Sequence, residues 1–449
     1  MNKFIFIAIF TALILTYLNS ADATSDTEKK TLLEKYKEIL TYGIEDEVVN
    51  ILKDLGTTPK DDFYPLLKER YKESTQITTK TEFIKYFSNC DTLPEDITAV
   101  LYEDAISEPS NKKIHSTLLE FIGKKGNNEQ RMLLVERLDY NDNFIQSSAA
   151  DALSKIESPE LVKTILDRLK LSDTDDDKFL SDDIKGKLIL SFGRMKAKEA
   201  TEYLRNIVQE TTSGKYLIMY AMVSLAQIED QESIEIINKN LENEDIKIQE
   251  YAAYSLSLFK SEKVIPIYGK MFRSNNEKIR VFACQGVSLN NDTTSIDILI
   301  YKFQNDPSVN VKKEALQSLI YMGNAGINAL KNFMKDKDYT EFNLFAISDA
   351  VRNKPDTNNV NFLLSLYQNA NDKKKEVIAK NIIHSTSNLV DPIIKKLLES
   401  ENYTLRINAI KTIYQIKDST LWNEVKNISE NDKSDIVKKT AKNYLELKK

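Results

Sequence analysis

One apolar residue recurs along this chain at a nearly fixed interval, and the interval limits what the chain can fold into. Leu153, Phe192, Leu225, Leu256, Val287, Leu319, Val351, Ile383, Ile413 and Leu445 are separated by 39, 33, 31, 31, 32, 32, 32, 30 and 32 residues. Such self-similarity marks a stacked array whose units are each too small to bury an apolar side alone. Eight residues before the anchor another apolar residue stands in most copies: Ile145, Ile184, Leu217, Ile248, Ile279, Val311, Leu405 and Val437, with Asn343 and Lys375 departing. Four residues before it stand Ala149, Ala221, Ala252, Ala283, Ala315, Ala379, Ala409 and Ala441, with Leu188 and Ile347 departing. Steps of four fall on one stripe of a helix. Eight alanines in ten places, against 25 in the whole chain, imply a steric rule. A methyl group there lets the neighbouring helix approach closely.

The helix starts repeat as well. Eleven residues before the anchors lie Asp142, Ser181, Gly214, Asp245, Asn276, Ser308, Thr340, Asp372, Asn402 and Ser434. All belong to the set favoured at an N-cap, where a side-chain oxygen or an unhindered backbone serves the free N–H groups. A short polar turn and a second amphipathic segment follow each anchor, as in Ile234 to Leu241, Ile296 to Phe303 and Val360 to Tyr367. With 11 Gly and 9 Pro in 449 residues, the chain lacks the punctuation of sheets and long loops. The predicted fold is all-α: an α-α superhelix of about ten or more two-helix repeats.

The segments NDNFIQSSAADALSKIESPELVKTILDRL and NEKIRVFACQGVSL resemble the HEAT-like repeat family in its short form of roughly 30 residues, which is common in bacterial proteins. The cation that commonly follows the first apolar position of that family stands here as Lys185, Arg280, Lys312, Arg406 and Lys438, while Gln146, Ile218 and Gln249 depart. The resemblance covers residues 142–449 and implies a HEAT/armadillo-like α-solenoid. Residues 24–141 read as a helical region of degenerate capping repeats, with a separate helical domain as the alternative. Leu119, Ile122 and Gly123 hint at one further unit there, with His115 at the alanine position.

Lys3, the apolar stretch Phe4 to Leu18 and the small residues of Ala21-Asp22-Ala23 predict a signal peptide over residues 1–23. The expectation is an exported protein of the bacterial periplasm, with an uncleaved anchor as the alternative. The formal net charge of −6 argues against nucleic acid as a partner, since that requires neutralising phosphates. The two cysteines, Cys90 and Cys284, are too few and too far apart for a disulfide framework and are expected to be unpaired and buried. His115 and His384 are the only histidines, and no zinc, phosphate-loop or nucleophile motif is present. Neither a catalytic residue nor a cofactor is predicted.

Two features stand out as candidate sites. Asp173, Asp175 and Asp177 alternate like the start of a calcium loop, but Lys178 and Ile184 break the pattern. A solvated acidic insertion is the competing reading. The resemblance further implies that second helices line a concave face on which ligands dock. Fourteen residues after successive anchors lie Asp167, Asn206, Lys239, Lys270, Tyr301, Phe333 and Ser365. Of these, Lys239, Lys270, Tyr301 and Phe333 are the candidate partner-binding residues, the two rings serving as aromatic anchors or else packing between repeats. The expected function is a non-enzymatic scaffold or adaptor for a protein partner. A self-associating or anchored envelope component is the alternative. An enzyme is the third reading, since a few HEAT-like proteins act as bilin lyases or DNA glycosylases.

Overall fold

The computed structural model describes residues 26–448 apart from 58–60, 108–109, 211–212, 336 and 417. The predicted signal peptide lies outside the described residues. Twenty-six α-helices and no strand occur among the described residues. The chain divides into two compact units, Thr24–Phe259 and Lys260–Lys449.

In each unit the helices alternate between two roles. First helices pack on first helices of the neighbouring repeats, as Asp182–Arg194 does on Lys215–Ile228 and Glu277–Leu289 on Val309–Tyr321. Each first helix also packs on a second helix beside it, as Val309–Tyr321 does on Ile296–Asn305. Among the described residues no helix is long and apolar enough to cross a membrane.

The anchors form the spine of the core. Leu153, Phe192, Leu225, Leu256, Val287, Leu319, Val351 and Ile413 are all 0% exposed, and so are the eight alanines. Burying one such aliphatic side chain contributes about 1.5–3 kcal/mol, so the array is held by many equal increments. Side chains cap the first helices at Asp142, Ser181, Asp245, Asn276, Ser308, Thr340 and Asn402. Gly214 and Ser434 hold the cap position without a side-chain bond.

One copy is shifted. Asn371, not Asp372, caps the helix Asp372–Ile382, accepting from the Lys374 amide at 3.0 Å. Ile382 therefore takes the anchor place at 0% exposure, and Ile383 is only half-buried. Both Asn371 and Asp372 suit a cap, so the sequence alone could not choose. Packing chose the register that buries Ile378 and Ile382 together.

The N-terminal repeats keep the register with larger side chains. The helix Ile77–Asn89 starts after Gln76 and places Phe87 at the anchor and Phe83 at the alanine position, both 0% exposed. Their rings stack 6.1 Å apart, and Tyr71 meets both edge-on. The helix Lys112–Lys125 is capped by Asn111, which puts Ile122 at the anchor and Leu118 at the alanine place. His115 is not the alanine counterpart; it is buried a turn earlier.

Polar ties join successive repeats. The Ser224 hydroxyl donates to the Ile189 carbonyl at 2.9 Å, Ser318 to Cys284 at 2.9 Å, and Thr412 to Ile383 at 2.8 Å. Arg280 forks onto Asp306 and Arg406 onto Asp432, each from a first helix to the loop that opens the next. Where the sequence has Gln146 or Gln249 instead of a cation, the amide reaches the Leu138 or Asn243 carbonyl of its own preceding loop.

Candidate functional site

The second helices carry the row that the sequence singled out. Asp167, Asn206, Lys239, Lys270, Tyr301 and Ser365 are exposed, as a mostly polar row on a half-buried helix requires. Lys239 pairs with Glu235 at 3.5 Å one turn away on its own helix. Tyr301 lies on the helix Ile296–Asn305 with 60% of its surface open to solvent.

Phe333 differs from Tyr301. It closes the helix Asn324–Phe333 half-buried, meeting the Phe303 ring edge-on at 6.1 Å. The Lys337 ammonium lies 3.7 Å from its ring centre. Phe333 is therefore a packed ring under a cation rather than a second bare anchor beside Tyr301. The cause is its place at the helix end, where the chain turns back and brings Lys337 across it.

Two more lysines sit over rings in the same region. Lys331 covers Phe362 at 5.3 Å and Lys375 covers Tyr367 at 5.7 Å, while Tyr339 meets Phe362 edge-on at 6.4 Å. Burial pushes the Tyr339 hydroxyl up to about 12, so it is neutral at any physiological pH. Lys331, Lys337 and Lys375 were not picked out from sequence. The usable signal was the run of Lys and aromatic residues from 331 to 339, which helical periodicity alone does not bring together.

The acidic loop is engaged in structural bonds. Asp173 accepts from Lys185 at 2.5 Å and from the Tyr203 hydroxyl at 2.8 Å, and Asp175 accepts from the Asp177 amide at 3.0 Å. Asp173, in the last turn of the helix Val162–Thr174, thus ties that helix end to the first helix Asp182–Arg194 and the second helix Thr201–Gln209. Among the described residues no three His, Cys, Asp or Glu side chains are grouped to hold a metal ion.

Cys90 and Cys284 are free and buried, and burial pushes both thiols up, that of Cys284 well above its usual value. Neither is activated as a nucleophile. His115 is buried and His384 exposed. An open groove of about 520 Å³ lies between the second helices Thr357–Gln368, Asp391–Leu398 and Trp422–Asn431. Asp391 at its edge accepts from Ser419, the Thr420 amide and the Thr420 hydroxyl, so its carboxylate braces the next turn.

Paired helices, stacked anchors and inter-repeat ties define a HEAT-type α-solenoid. The chain belongs to the family described as "Spirochaete HEAT repeat protein", whose model matches residues 40–444. No curated protein matches it. Among solved structures, YibA of E. coli is 13% identical, over 62% of this chain and 98% of that one, with a TM-score of 0.39. Kap95p, solved with RanGDP, is 14% identical over 95% of this chain and 60% of its own, with a TM-score of 0.38. Human deoxyhypusine hydroxylase is 12% identical over 58% of this chain and 96% of its own, with a TM-score of 0.26. HEAT repeats commonly serve as protein-interaction scaffolds, which is the coarse function that family membership supports.

Proposed function

We propose that this chain is an exported, non-enzymatic scaffold of the bacterial periplasm that holds a protein partner on its second helices. The observation that carries the reading is the solvent-facing row on those helices, with Tyr301 60% exposed on a face that the core does not need. A large aromatic side chain left in water beside polar neighbours is the composition of an interface centre. Export rests on the sequence of residues 1–23 alone.

The test is cross-linking in native cells followed by mass spectrometry. Recovery of one or two envelope proteins, cross-linked to second helices, is the expected result, and Tyr301→Ala is expected to weaken that capture without lowering the melting temperature. Recovery of the chain alone, or only with itself, overturns the scaffold.

A further inference from the structure

The two compact units differ sharply in charge. Residues 24–259 hold 31 Lys and Arg against 45 Asp and Glu, a net −14, whereas residues 260–449 hold 30 against 22, a net +8. In the basic unit many lysines are paired: Lys302 with Asp306, Lys374 with Asp338, Lys395 with Glu424. Lys331, Lys335 and Lys337 are exposed and have no carboxylate partner among the described residues. They stand where the second helix Asn324–Phe333 ends, and the second helices Asn324–Phe333 and Thr357–Gln368 carry no acidic residue. By sequence the stretch 331–375 around them does include acidic residues, Asp336 and Asp338 among them.

Resting on the scaffold reading above, we propose that this basic, ring-floored corner docks an extended acidic polypeptide segment, its carboxylates meeting Lys331, Lys335 and Lys337. Lys331 and Lys337 are held in place by the rings of Phe362 and Phe333, so less side-chain freedom is lost on binding. Tyr301, exposed on the adjacent second helix, offers an apolar contact between charges. Single-stranded nucleic acid fits worse, because it needs bare ring faces for stacking, and here lysines cover those of Phe333, Phe362 and Tyr367.

The experiment titrates full-length protein into a fluorescent peptide of alternating Glu and Leu, about twelve residues long, in about 50 mM and then about 300 mM salt. Binding at low salt is expected to weaken about tenfold at high salt and about tenfold in the triple variant Lys331→Glu, Lys335→Glu, Lys337→Glu. Trp422 fluorescence would show an unchanged melt. Reversal of the exposed Lys411, Lys439 and Lys442 to Glu changes net charge equally and is expected to leave binding intact. The proposal is overturned if the peptide does not bind or if both triple variants lose it equally. It is also overturned if an oligothymidylate of equal charge binds as tightly. Low-salt self-association abolished by the first triple variant, without peptide binding, would overturn it in favour of a second copy. Any of these results alongside a partner still cross-linked to second helices would remove the acidic chemistry and leave the scaffold standing.

Discussion

Arg280 grips Asp306 with two parallel bonds, Nε to one carboxylate oxygen at 2.9 Å and Nη2 to the other at 2.8 Å. Its third nitrogen donates to the Ser274 and Asn275 carbonyls at 2.9 and 3.1 Å, so one guanidinium ties the loop before its own helix to the loop before the next. Arg406 repeats the arrangement with Asp432, Ser400 and Glu401. Both partners are buried, and removing the arginine strips the carboxylate of its forked partner, leaving Asp306 only one cation, the Lys302 ammonium at 3.2 Å. Arg280→Met is expected to cost up to about 3–5 kcal/mol locally, whereas adding Asp306→Leu and Lys302→Met, which removes the two remaining charges, recovers most of it. Hydrogen exchange of the helices Glu277–Leu289 and Val309–Tyr321 measures this, and unchanged protection in the single variant would show the pair to be idle.

Acid should attack the same joints. Burial pushes the Asp306 carboxyl up, but hydrogen bonds from Arg280, the Ser308 amide and Lys302 outweigh it and hold it below the usual carboxylate range. Asp432 is lowered in the same way by Arg406 and the Ser434 amide. A lowered native pKa contributes stability that is present above the unfolded value, about 3.9, and is lost as pH falls through the native value. The melt of the C-terminal unit is therefore expected to hold near neutrality and to fall only below about pH 4. Asp306→Asn should flatten that acid limb, and an equally steep limb would exclude the assignment.

Glu314 carries the opposite sign. Burial raises its carboxyl despite a hydrogen bond from Gln285 and the charge of Lys313. A raised native pKa contributes stability below the unfolded value, about 4.3, that disappears as pH rises through the native one. Glu314→Gln is thus expected to raise the melting temperature at pH 7 and to leave it unchanged near pH 4. Thermal melts at the two pH values decide, and a loss at pH 7 would show that the ionised carboxylate is needed.

The repeat period, the anchors and nearly all the caps were legible because stacking forces the same side-chain volumes to recur at the same places. Legibility failed where other residues satisfy the same geometry. Phe83 and Leu118 fill the alanine place with larger volumes, so the array's early repeats do not look like its later ones. Asn371 and Asp372 can both cap, and only the burial of Ile382 separates them. The site was legible as a row but not in its details. Helical spacing placed Tyr301 and Phe333 alike, whereas Phe303 and Lys337, from outside the row, cover Phe333.

The shifted register makes its own test. Ile382→Ala should cost about 2–5 kcal/mol as a buried truncation, and the half-buried Ile383→Ala clearly less. Asn371→Ala should cost about 1 kcal/mol through the lost cap, and Asp372→Ala no more than a few tenths. Urea unfolding followed by Trp422, the one tryptophan of the chain, reads the unit that contains all four residues. If Asp372→Ala and Ile383→Ala were the costly pair, the helix would start one residue later.

Two glycines in helices should respond in opposite directions. A methyl group added at Gly193 would lie 2.8 Å from the Ser224 backbone and 2.2 Å from the Gln227 side chain, where the helix Lys215–Ile228 crosses closest. The side chain can swing away but the backbone cannot, so Gly193→Ala should push the two first helices apart. It would also strain the Ser224 bond to the Ile189 carbonyl, for a total of about 1–3 kcal/mol. Gly269, inside the helix Ile265–Met271, has nothing within 4 Å of an added methyl. There Ala removes unfolded-state freedom at no steric cost, and Gly269→Ala should stabilise by about 0.5–1 kcal/mol. Hydrogen exchange in the two regions gives both signs. Equal stabilisation by the two variants would mean that first helices stack with slack, and that the small-residue rule inferred from the alanines is not one of contact.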